Sequence, residues 1–362
     1  MILIAGVEET RVHCDSGKYL GAMIGERPAS GPGFDVIGDV HGCGAELHAL
    51  LTAMGYAPNG PGGAYRHPQR QVIFVGDFID RGPGQLPVLR IAEAMTGCGS
   101  ALAVMGNHEF NALAYHTEWP PGSGRYLRPH DDPTDSQSTK NTRQHQAFLD
   151  QVTGADREKY LAWVQTLPLW LDVGDLRVIH ACWHWPSIDI ATEALGGDRF
   201  TCVEQLVRAS DRDDPLYAAV EALLKGPEVS LSAHGLQPYL DKDGSPRRAA
   251  RLRWWARAES LRDAAEMGGG LTTADGKPYP ALPEVPIDPE CRSYLYTEIV
   301  PVIYGHYWRR GDPVYRQDWT ANTACVDFSA VKGGALTAYR WSGEAQIRPE
   351  NYVTARSIVG PP

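Results

Sequence analysis

A chain of 362 residues, of which 43% are hydrophobic, can bury a large core and hold one catalytic domain together with an insertion. The formal net charge of −10 argues against a basic nucleic-acid-binding surface, although bound divalent cations could still attract a phosphorylated substrate. The seven cysteines form no CxxC pair, and no apolar stretch approaches the ~20 residues that span a bilayer, so we expect a cytoplasmic protein with reduced thiols.

The first third of the chain alternates between strand and helix patterns, after an N-terminal extension predicted at residues 1–33. Short apolar runs predict buried strands, and amphipathic runs predict the helices that follow them. The strands are predicted at 34–37, 72–75 and 101–105, with helices at 45–54, near 86–95 and from 107. This alternation predicts an α/β fold with a mixed or parallel sheet.

The rest of the chain interrupts this pattern and then returns to it. Residues 116–142 are predicted to form a long surface loop, 144–163 a helix and 176–179 a strand. Residues 186–299 are partly helical in pattern and partly rich in Gly and Pro, and we interpret them as an insertion or cap. Closing strands are predicted at 300–304, 324–326 and 336–341, so that the catalytic domain comprises 34–185 and 300–345.

Acidic and histidine-containing motifs follow the first three predicted strands. They are Gly38-Asp39-Val40-His41-Gly42, Gly76-Asp77-Phe78-Ile79-Asp80-Arg81-Gly82 and Gly106-Asn107-His108-Glu109. Two later strands end at His180 and His306. Because ligands of α/β folds lie at the carboxyl ends of strands, we expect these side chains to converge. One such motif alone is usually a turn or a helix cap, but five such strand ends in one chain favour a metal site.

Oxygen and nitrogen ligands that converge in this way suit Mn, Fe or Zn. Two divalent ions about 3.5–4 Å apart can neutralise phosphate oxygens and lower the pKa of an attacking water. Asp77, after the middle strand, is the natural bridge, and Asp39 and His41 can chelate one ion from a single turn. The expected ligands of the second ion, besides the bridge, are Asn107, His180 and His306.

Phosphate-ester hydrolysis also needs a general acid that protonates the leaving oxygen. His108 is the candidate, and Asp80 is the carboxylate expected to orient its ring. Arg81 can hold the phosphate through bidentate hydrogen bonds.

The other histidines are less suited to be ligands. His184 lies close enough to His180 in the chain to be confused with it, and His234 is interpreted as a loop residue. The remaining histidines, which lack ligand-like spacing, are interpreted as surface or packing residues: His13, His48, His67, His116, His130 and His145.

With these motifs the chain resembles the calcineurin-like metallophosphoesterase superfamily. It carries the signature of the phosphoprotein phosphatase branch, GDxHG…GDxxDRG…GNHE, without departure. Within that branch it is similar to bacterial enzymes related to symmetrical diadenosine tetraphosphatases, through Gly38 to Cys43, Glu46-Leu47 and Tyr304-Gly305-His306. The resemblance covers about 34–185 and 300–341. It implies a four-layer α+β fold, a β-sandwich of two mixed sheets flanked by helices, in place of a single sheet.

The resemblance also implies two divalent metal ions, with the same ligands, acid and phosphate clamp. We expect these ions to be Mn, with Fe or Zn as alternatives. Two departures concern protein phosphatases of this branch. They have two glycines after the equivalent of His180, where this chain has Ala181 and Cys182, and they have a second phosphate-binding arginine with no clear counterpart here. Arg143, or an arginine among Arg251, Arg253 and Arg257, could substitute, although a solvated surface arginine is favoured for each.

The last three arginines lie in a basic and aromatic run at 247–257. This run could cover the active site and clamp a nucleotide by stacking and charge. An amphipathic helix with Trp254 or Trp255 in the core is the favoured interpretation.

The sequence therefore predicts a di-metal phosphohydrolase that cleaves a phosphate monoester or phosphoanhydride by attack of metal-bridging hydroxide. The expected partner is a phosphorylated small molecule, such as a dinucleoside polyphosphate or another nucleotide, with a nucleic-acid end as a further candidate and no membrane. A Ser/Thr protein phosphatase is the alternative. A non-catalytic metal-binding scaffold is a third hypothesis, but it would not need Asp80, Arg81 and His108. The sequence predicts no particular oligomeric state.

Overall fold

The computed structural model describes residues 33–60, 63–130, 132–240, 244, 246–268 and 270–356. The predicted extension at 1–33 lies outside the described residues, apart from Gly33. Within the described part of the chain, no helix combines the length and apolar character needed to cross a bilayer.

The helices and strands follow one another along the chain as predicted for an α/β protein. The helices are α1 (Gly44–Ala53), α2 (Gln85–Gly97), α3 (Asn107–His116), α4 (Ser136–Gln151), α5 (Gly154–Gln165), α6 (Trp185–Leu195), α7 (Val203–Ser210), α8 (Pro215–Lys225), α9 (Leu261–Ala264) and α10 (Pro289–Ser293). The strands are β1 (Gly33–Ile37), β2 (Ala57–Pro58), β3 (Tyr65–Arg66), β4 (Arg70–Phe74), β5 (Ala101–Ala103), β6 (Trp170–Asp172), β7 (Arg177–Ile179), β8 (Glu228–Ser230), β9 (Tyr239–Leu240), β10 (Pro246–Arg247), β11 (Ala249–Leu252), β12 (Ala265–Glu266), β13 (Val302–Tyr304), β14 (Thr323–Cys325), β15 (Ala335–Trp341) and β16 (Tyr352–Arg356).

Two mixed sheets form the framework. The first has the strand order β16-β15-β1-β4-β5, in which β1, β4 and β5 are parallel and β15 is antiparallel to β1. The second has the order β14-β13-β7-β6, in which β14, β13 and β7 are parallel and β6 is antiparallel to β7. The two-sheet fold that the resemblance implied is confirmed, and the initial expectation of a single sheet is wrong.

The sheets pack face to face because their strands alternate apolar side chains between two directions. Val36 and Ile73 of the first sheet meet Val178 and Ile303 of the second in one buried cluster. The next residue, Tyr304, points away from this cluster, to the outer face of the second sheet. That outer face is covered by a separate set of apolar side chains.

That cover comes from the basic and aromatic run. The ring centroid of Tyr304 lies 4.8 Å from that of Trp254 and 5.4 Å from that of Trp255. Both tryptophans are buried, as expected, but the predicted helix is wrong. The run contains β11, which is hydrogen-bonded between β8 and β12, and these partners far along the chain favour an extended backbone.

A buried carboxylate joins the central strands of the first sheet. Asp35 of β1 is fully buried and accepts hydrogen bonds from Arg70 Nε at 2.9 Å, Arg340 Nε at 3.0 Å and Tyr56 OH at 2.9 Å. A buried charge persists only when it is paired in this way. The two arginines belong to β4 and β15, the neighbours of β1, so the cluster ties three adjacent strands together.

Helix boundaries differ from prediction after residue 116. Helix α4 begins at Ser136, inside the predicted loop at 116–142, because the Asp135 side chain accepts the Ser138 N–H and caps the helix. The helix predicted at 144–163 is two helices, which are broken at Val152 and Thr153.

Residues 186–299 contain most of α6, the helices α7 to α10 and the sheet of order β12-β11-β8. Val229, Ala250, Leu252 and Leu261 belong to a small hydrophobic cluster within this stretch. The division into a catalytic domain and an insertion stays a prediction. Strand β16 extends the first sheet past residue 345, the predicted end of the catalytic domain.

Candidate metal centre

The predicted ligands lie just beyond strands that are neighbours in each sheet. In the first sheet Ile37 of β1 is opposite Phe74 of β4, so Asp39 and Asp77 follow at similar depths. In the second sheet Tyr304 of β13 is opposite Ile179 of β7, and His306 and His180 follow. Asn107 opens α3 after β5. The parallel strands therefore deliver these side chains to one edge of the sandwich.

Asp77 lies at the centre of the site and belongs to two groups of potential ligands. One group contains His41, Asp77 and His108, the other contains Asp77, His180 and His306, and within each group the ligand atoms lie within 4.8 Å of one another. All of these residues are buried. A carboxylate that two ligand groups share is placed to bridge two cations.

Two imidazoles present Nε2 to the Asp77 carboxylate. Nδ1 of His41 donates to the Ile79 carbonyl at 2.8 Å, and Nδ1 of His180 donates to the Val75 carbonyl at 2.8 Å. Their Nε2 atoms then lie 3.4 Å and 3.6 Å from Asp77 Oδ2. A metal-binding histidine commonly has its other ring nitrogen anchored in this manner.

His41 is neutral because burial lowers its pKa to about 3. Burial opposes ionisation of Asp77, but the nearby His180 and His108 outweigh it and lower the pKa of that carboxyl to about 2. A lone pair on His41 Nε2 therefore faces an ionised carboxylate, and Nε2 has no hydrogen-bond partner among the described residues. A cation placed between two buried acceptors that face each other would satisfy both, so these residues fit a divalent metal.

His306 has the same features. Neither of its buried ring nitrogens has a hydrogen-bond partner within the described residues, and burial lowers its pKa well below the usual range. Its backbone N–H donates to both carboxylate oxygens of Asp39, at 3.2 Å each. A Cβ at the preceding Gly305 would lie 2.2 Å from Asp39 Oδ1, so only glycine permits this approach.

Asn107 completes the set of predicted ligands that the structure brings together. Its Oδ1 lies 3.1 Å from His180 Nε2, so the amide oxygen is on the same side of Asp77 as the second ligand group. Asp39 is outside both three-residue groups, although it contacts His306 of the second through the backbone.

The backbone is strained where these ligands are presented. His41, Asp77, Asp80, Arg81 and His306 have φ angles of 43°, 51°, 70°, 67° and 72°. Residues other than glycine rarely adopt positive φ, and such strain concentrates at functional sites. Every one of these five residues was predicted to belong to the site.

Glu109 positions the loop that carries Asp77, a role that the sequence did not predict. Its carboxylate accepts the backbone N–H groups of Asp77 at 2.7 Å, Phe78 at 2.9 Å and Gly106 at 3.0 Å. Burial and then the charge of Asp77 raise the pKa of Glu109 to about 8. The sequence feature that could have indicated this role is the place of Glu109 at the third position of α3, where a glutamate often caps a helix.

The predicted acid and its partner are in contact. Nδ1 of His108 lies 2.5 Å from Asp80 Oδ2, and its backbone N–H donates to Asp77 Oδ1 at 2.9 Å. Arg81 Nη2 donates to His108 Nε2 at 3.2 Å. The carboxylate thus orients the ring so that Nε2 faces the ligand groups and the arginine.

Asp327 and Trp308 were missed by the sequence analysis. Asp327 is buried after β14 and accepts the Trp308 N–H at 2.7 Å, and the Arg81 guanidinium lies 4.3 Å from the centroid of the Trp308 ring. Burial, and then the charges of Asp327 and Asp77, raise the pKa of Asp39. Asp327 also follows a strand, so the same strand-end rule could have found it.

Of the candidate second arginines, Arg251 reaches the site. Its Nη1 donates to the His306 carbonyl at 3.4 Å, and its guanidinium lies 5.7 Å from the centroid of the Tyr307 ring. The positive charge of Arg251 also contributes to the low pKa of His306, after the larger effect of burial.

The other candidate arginines point elsewhere. Arg253 and Arg257 each pair with a glutamate, at 2.7 Å and 3.0 Å. Arg143 is exposed on α4, two positions before the buried His145 and therefore on the opposite face of that helix.

The contacts of the other histidines show which of them lie at the site. His184 hydrogen-bonds through Nδ1 to Ser187 Oγ at 2.9 Å and packs 4.2 Å from Tyr294, measured between ring centroids, so His180 is the residue at the site. His234 lies in a short 3-10 turn, as expected for a loop residue. His145, expected to be a surface or packing residue, is buried against Phe148, and it also contacts Asp80, which was not expected.

The fold and these ligand groups define a class of protein. The chain belongs to the calcineurin-like phosphoesterase family, whose model matches residues 33–235, more than half of its length. Members of this family bind two divalent metal ions, in agreement with the two ligand groups around Asp77.

The chain is similar to several bis(5'-nucleosyl)-tetraphosphatases. It is 47% identical over 76 residues to PrpE, an asymmetrical enzyme of Halalkalibacterium halodurans, covering 21% of this chain and 30% of the relative. It is 31% identical over 146 residues to a symmetrical enzyme of Methylococcus capsulatus, covering 40% and 41%. It is 28% identical over 311 residues to a symmetrical enzyme of Ralstonia nicotianae, covering 84% and 87%. The first two of these matches span 30% and 41% of the relatives' own length.

Proposed function

We propose that this chain is a di-metal phosphohydrolase that cleaves a phosphoanhydride or a phosphate monoester of a nucleotide-type small molecule. Dinucleoside polyphosphates are the first candidates, because the relatives carry the name of tetraphosphatases. The observation that carries the proposal is the position of Asp77 between two groups of buried ligands. Mn as the metal and the cytoplasm as the location are part of the proposal, and the cysteines of the described residues form no disulfide bond with one another.

The proposed ligands divide between two ions. The first ion would be held by Asp39, His41 and Asp77, and the second by Asp77, Asn107, His180 and His306. When bound, the ions supply positive charge to the phosphate oxygens and lower the pKa of water.

The neighbours of the proposed acid, His108, hold its ring in position for proton transfer. Asp80 holds Nδ1 of His108, so the ring can exchange a proton only through Nε2, which faces the ligand groups. An incoming phosphate would compete for the Arg81 guanidinium, because two parallel N–H groups match two phosphate oxygens. Nε2 would then be free to carry a proton to the leaving oxygen of the substrate.

Arg251 is proposed as a second cation for the phosphate chain, in preference to Arg143. It comes from β11 in the predicted cap, and it contacts His306 beside the ligands. A contact between an arginine of residues 186–299 and the backbone of a proposed ligand supports a small-molecule substrate more than a large protein substrate.

The function is tested with the full chain, Mn and a substrate panel. The panel contains dinucleoside tetraphosphates, mononucleotides, 2′,3′-cyclic nucleotides and phosphopeptides, and the products are identified by chromatography. Cleavage of a dinucleoside tetraphosphate into two diphosphates, or into a mono- and a triphosphate, would support the proposal and decide between symmetrical and asymmetrical attack. Preferential hydrolysis of phosphopeptides would favour the protein phosphatase instead, and metal binding without hydrolysis would favour a scaffold.

Replacing Arg251 tests the second phosphate cation. Arg251→Met should lower kcat/KM on the best nucleotide about 10-fold or more, because a charge-assisted hydrogen bond contributes roughly 1.5–3 kcal/mol. The matched control is Arg90→Met, which removes the same charge from an exposed position on α2. If Arg143→Met lost activity while Arg251→Met did not, the assignment would move to Arg143.

A further inference from the structure

Asp80 accepts hydrogen bonds from two buried imidazoles, of which the sequence predicts one. Its Oδ2 lies 2.5 Å from Nδ1 of His108, and its Oδ1 lies 2.7 Å from Nδ1 of His145. All three side chains are almost fully buried. Each oxygen of this carboxylate is therefore engaged by a different histidine, one at the site and one on α4.

His145 is itself held firmly by its surroundings. Its ring stacks on Phe148 of the same helix, with centroids 4.7 Å apart and planes 19° apart. Its Nε2 lies 3.4 Å from Nε2 of His116, and its ring centroid lies 5.0 Å from that of Tyr115. A donor fixed in this way can impose a direction on the carboxylate that accepts from it.

The backbone of Asp80 is fixed by a different residue. The Asp80 N–H donates to Gln85 Oε1 at 2.8 Å, and Gln85 Nε2 donates back to the Asp80 carbonyl at 3.2 Å. These bonds do not fix the side-chain torsions, and the last of these, which turns the carboxylate plane, has broad energy wells. A hydrogen bond to one oxygen alone would leave much of that freedom.

We propose that His145 is a positioning residue: by holding Oδ1 of Asp80 it fixes the carboxylate plane, and through the other oxygen it fixes the ring of His108. The inference rests on the proposed function, in which His108 is the general acid. A proton donor must meet the leaving oxygen in a narrow geometry, so loss of orientation lowers the rate of bond cleavage more than it weakens substrate binding.

A purely structural role for His145 is the competing explanation, since the ring also fills space beside Phe148. Two variants separate shape from hydrogen bonding. His145→Leu keeps an apolar side chain of similar size and removes the donor. His145→Asn is smaller, but its amide N–H can occupy nearly the position of Nδ1 and donate to Asp80.

The experiment measures kcat and KM of the full-length Mn enzyme on two aryl phosphates. Phenyl phosphate has a poor leaving group and depends on the acid, whereas p-nitrophenyl phosphate has a good leaving group and depends on it much less. His145→Leu should lower kcat on phenyl phosphate about 10- to 100-fold, in the range found for residues that orient a functional group, with a smaller loss on p-nitrophenyl phosphate and little change in KM. His145→Asn should recover most of this loss, and metal content should stay at the wild-type value in both variants.

Three results would overturn the inference: no loss in His145→Leu, an equal loss on both substrates, or no recovery in His145→Asn. Each of them leaves the proposed function standing, because the wild type would still hydrolyse phosphate esters. A wild-type protein that loads Mn but hydrolyses neither these esters nor any nucleotide would overturn the proposed function and this inference together. The two failures are therefore distinguishable.

Discussion

Asp77→Asn is expected to abolish hydrolysis and to reduce bound metal from two ions per chain. The exchange keeps the size of the side chain but removes the negative charge that two ligand groups share. Without a bridging carboxylate, two cations would repel each other across the site, and activity should fall by more than about 100-fold. Metal content is measured by elemental analysis after gel filtration, and turnover is measured on the best substrate of the panel.

The fold should survive this exchange. Asp77 has a φ of 51°, and asparagine tolerates that region better than most residues do. Asp150→Asn, at an exposed position on α4, is the matched control and should retain both ions and full activity. Full occupancy by two ions in Asp77→Asn would refute the bridging role.

His108→Ala is expected to lower turnover strongly and to leave the metal content near two ions per chain. General acid catalysis contributes roughly 10²- to 10⁴-fold, and the loss should be largest for substrates with poor leaving groups. The measurement is a comparison of kcat on phenyl and p-nitrophenyl phosphate, together with metal analysis.

Metal analysis is essential because His108 also belongs to a ligand group. Its Nε2 lies 4.0 Å from Asp77 Oδ2, so a ligand role is geometrically available. His234→Ala, which removes a loop histidine, should change neither quantity. Loss of an ion in His108→Ala would make His108 a ligand, and an unchanged rate on phenyl phosphate would remove it from the acid role.

The structure brings the predicted ligands together, and local sequence patterns are the reason. Each one follows a short apolar run, so periodicity places it at a strand end, and parallel neighbours bring strand ends to one edge. Asp39, Asp77 and Asn107 come from three adjacent strands of one sheet. Their placement is thus predictable without any knowledge of packing between the sheets.

The residues that escaped prediction, or that the sequence could not single out among several candidates, depend on contacts between distant elements. His145 lies within a helix, where its polar neighbours give no sign that one face meets Asp80. Arg251 reaches His306 because β11 pairs with two other short strands, and no local pattern determines that pairing. The predicted helix at 247–257 fails for the same reason, since partners far along the chain outweigh local preference.

The hydrogen bond between Asp39 and His306 spans 267 positions of the chain. A cation bound by ligands from both sheets would link segments that are far apart in the sequence. It could do so only after both sheets have assembled. Ligands that bind the folded state alone stabilise it, by about 4 kcal/mol at a thousand times the dissociation constant. Removal of the ions would therefore lower the free energy of unfolding of the whole two-sheet sandwich, because the cations would join its two sheets.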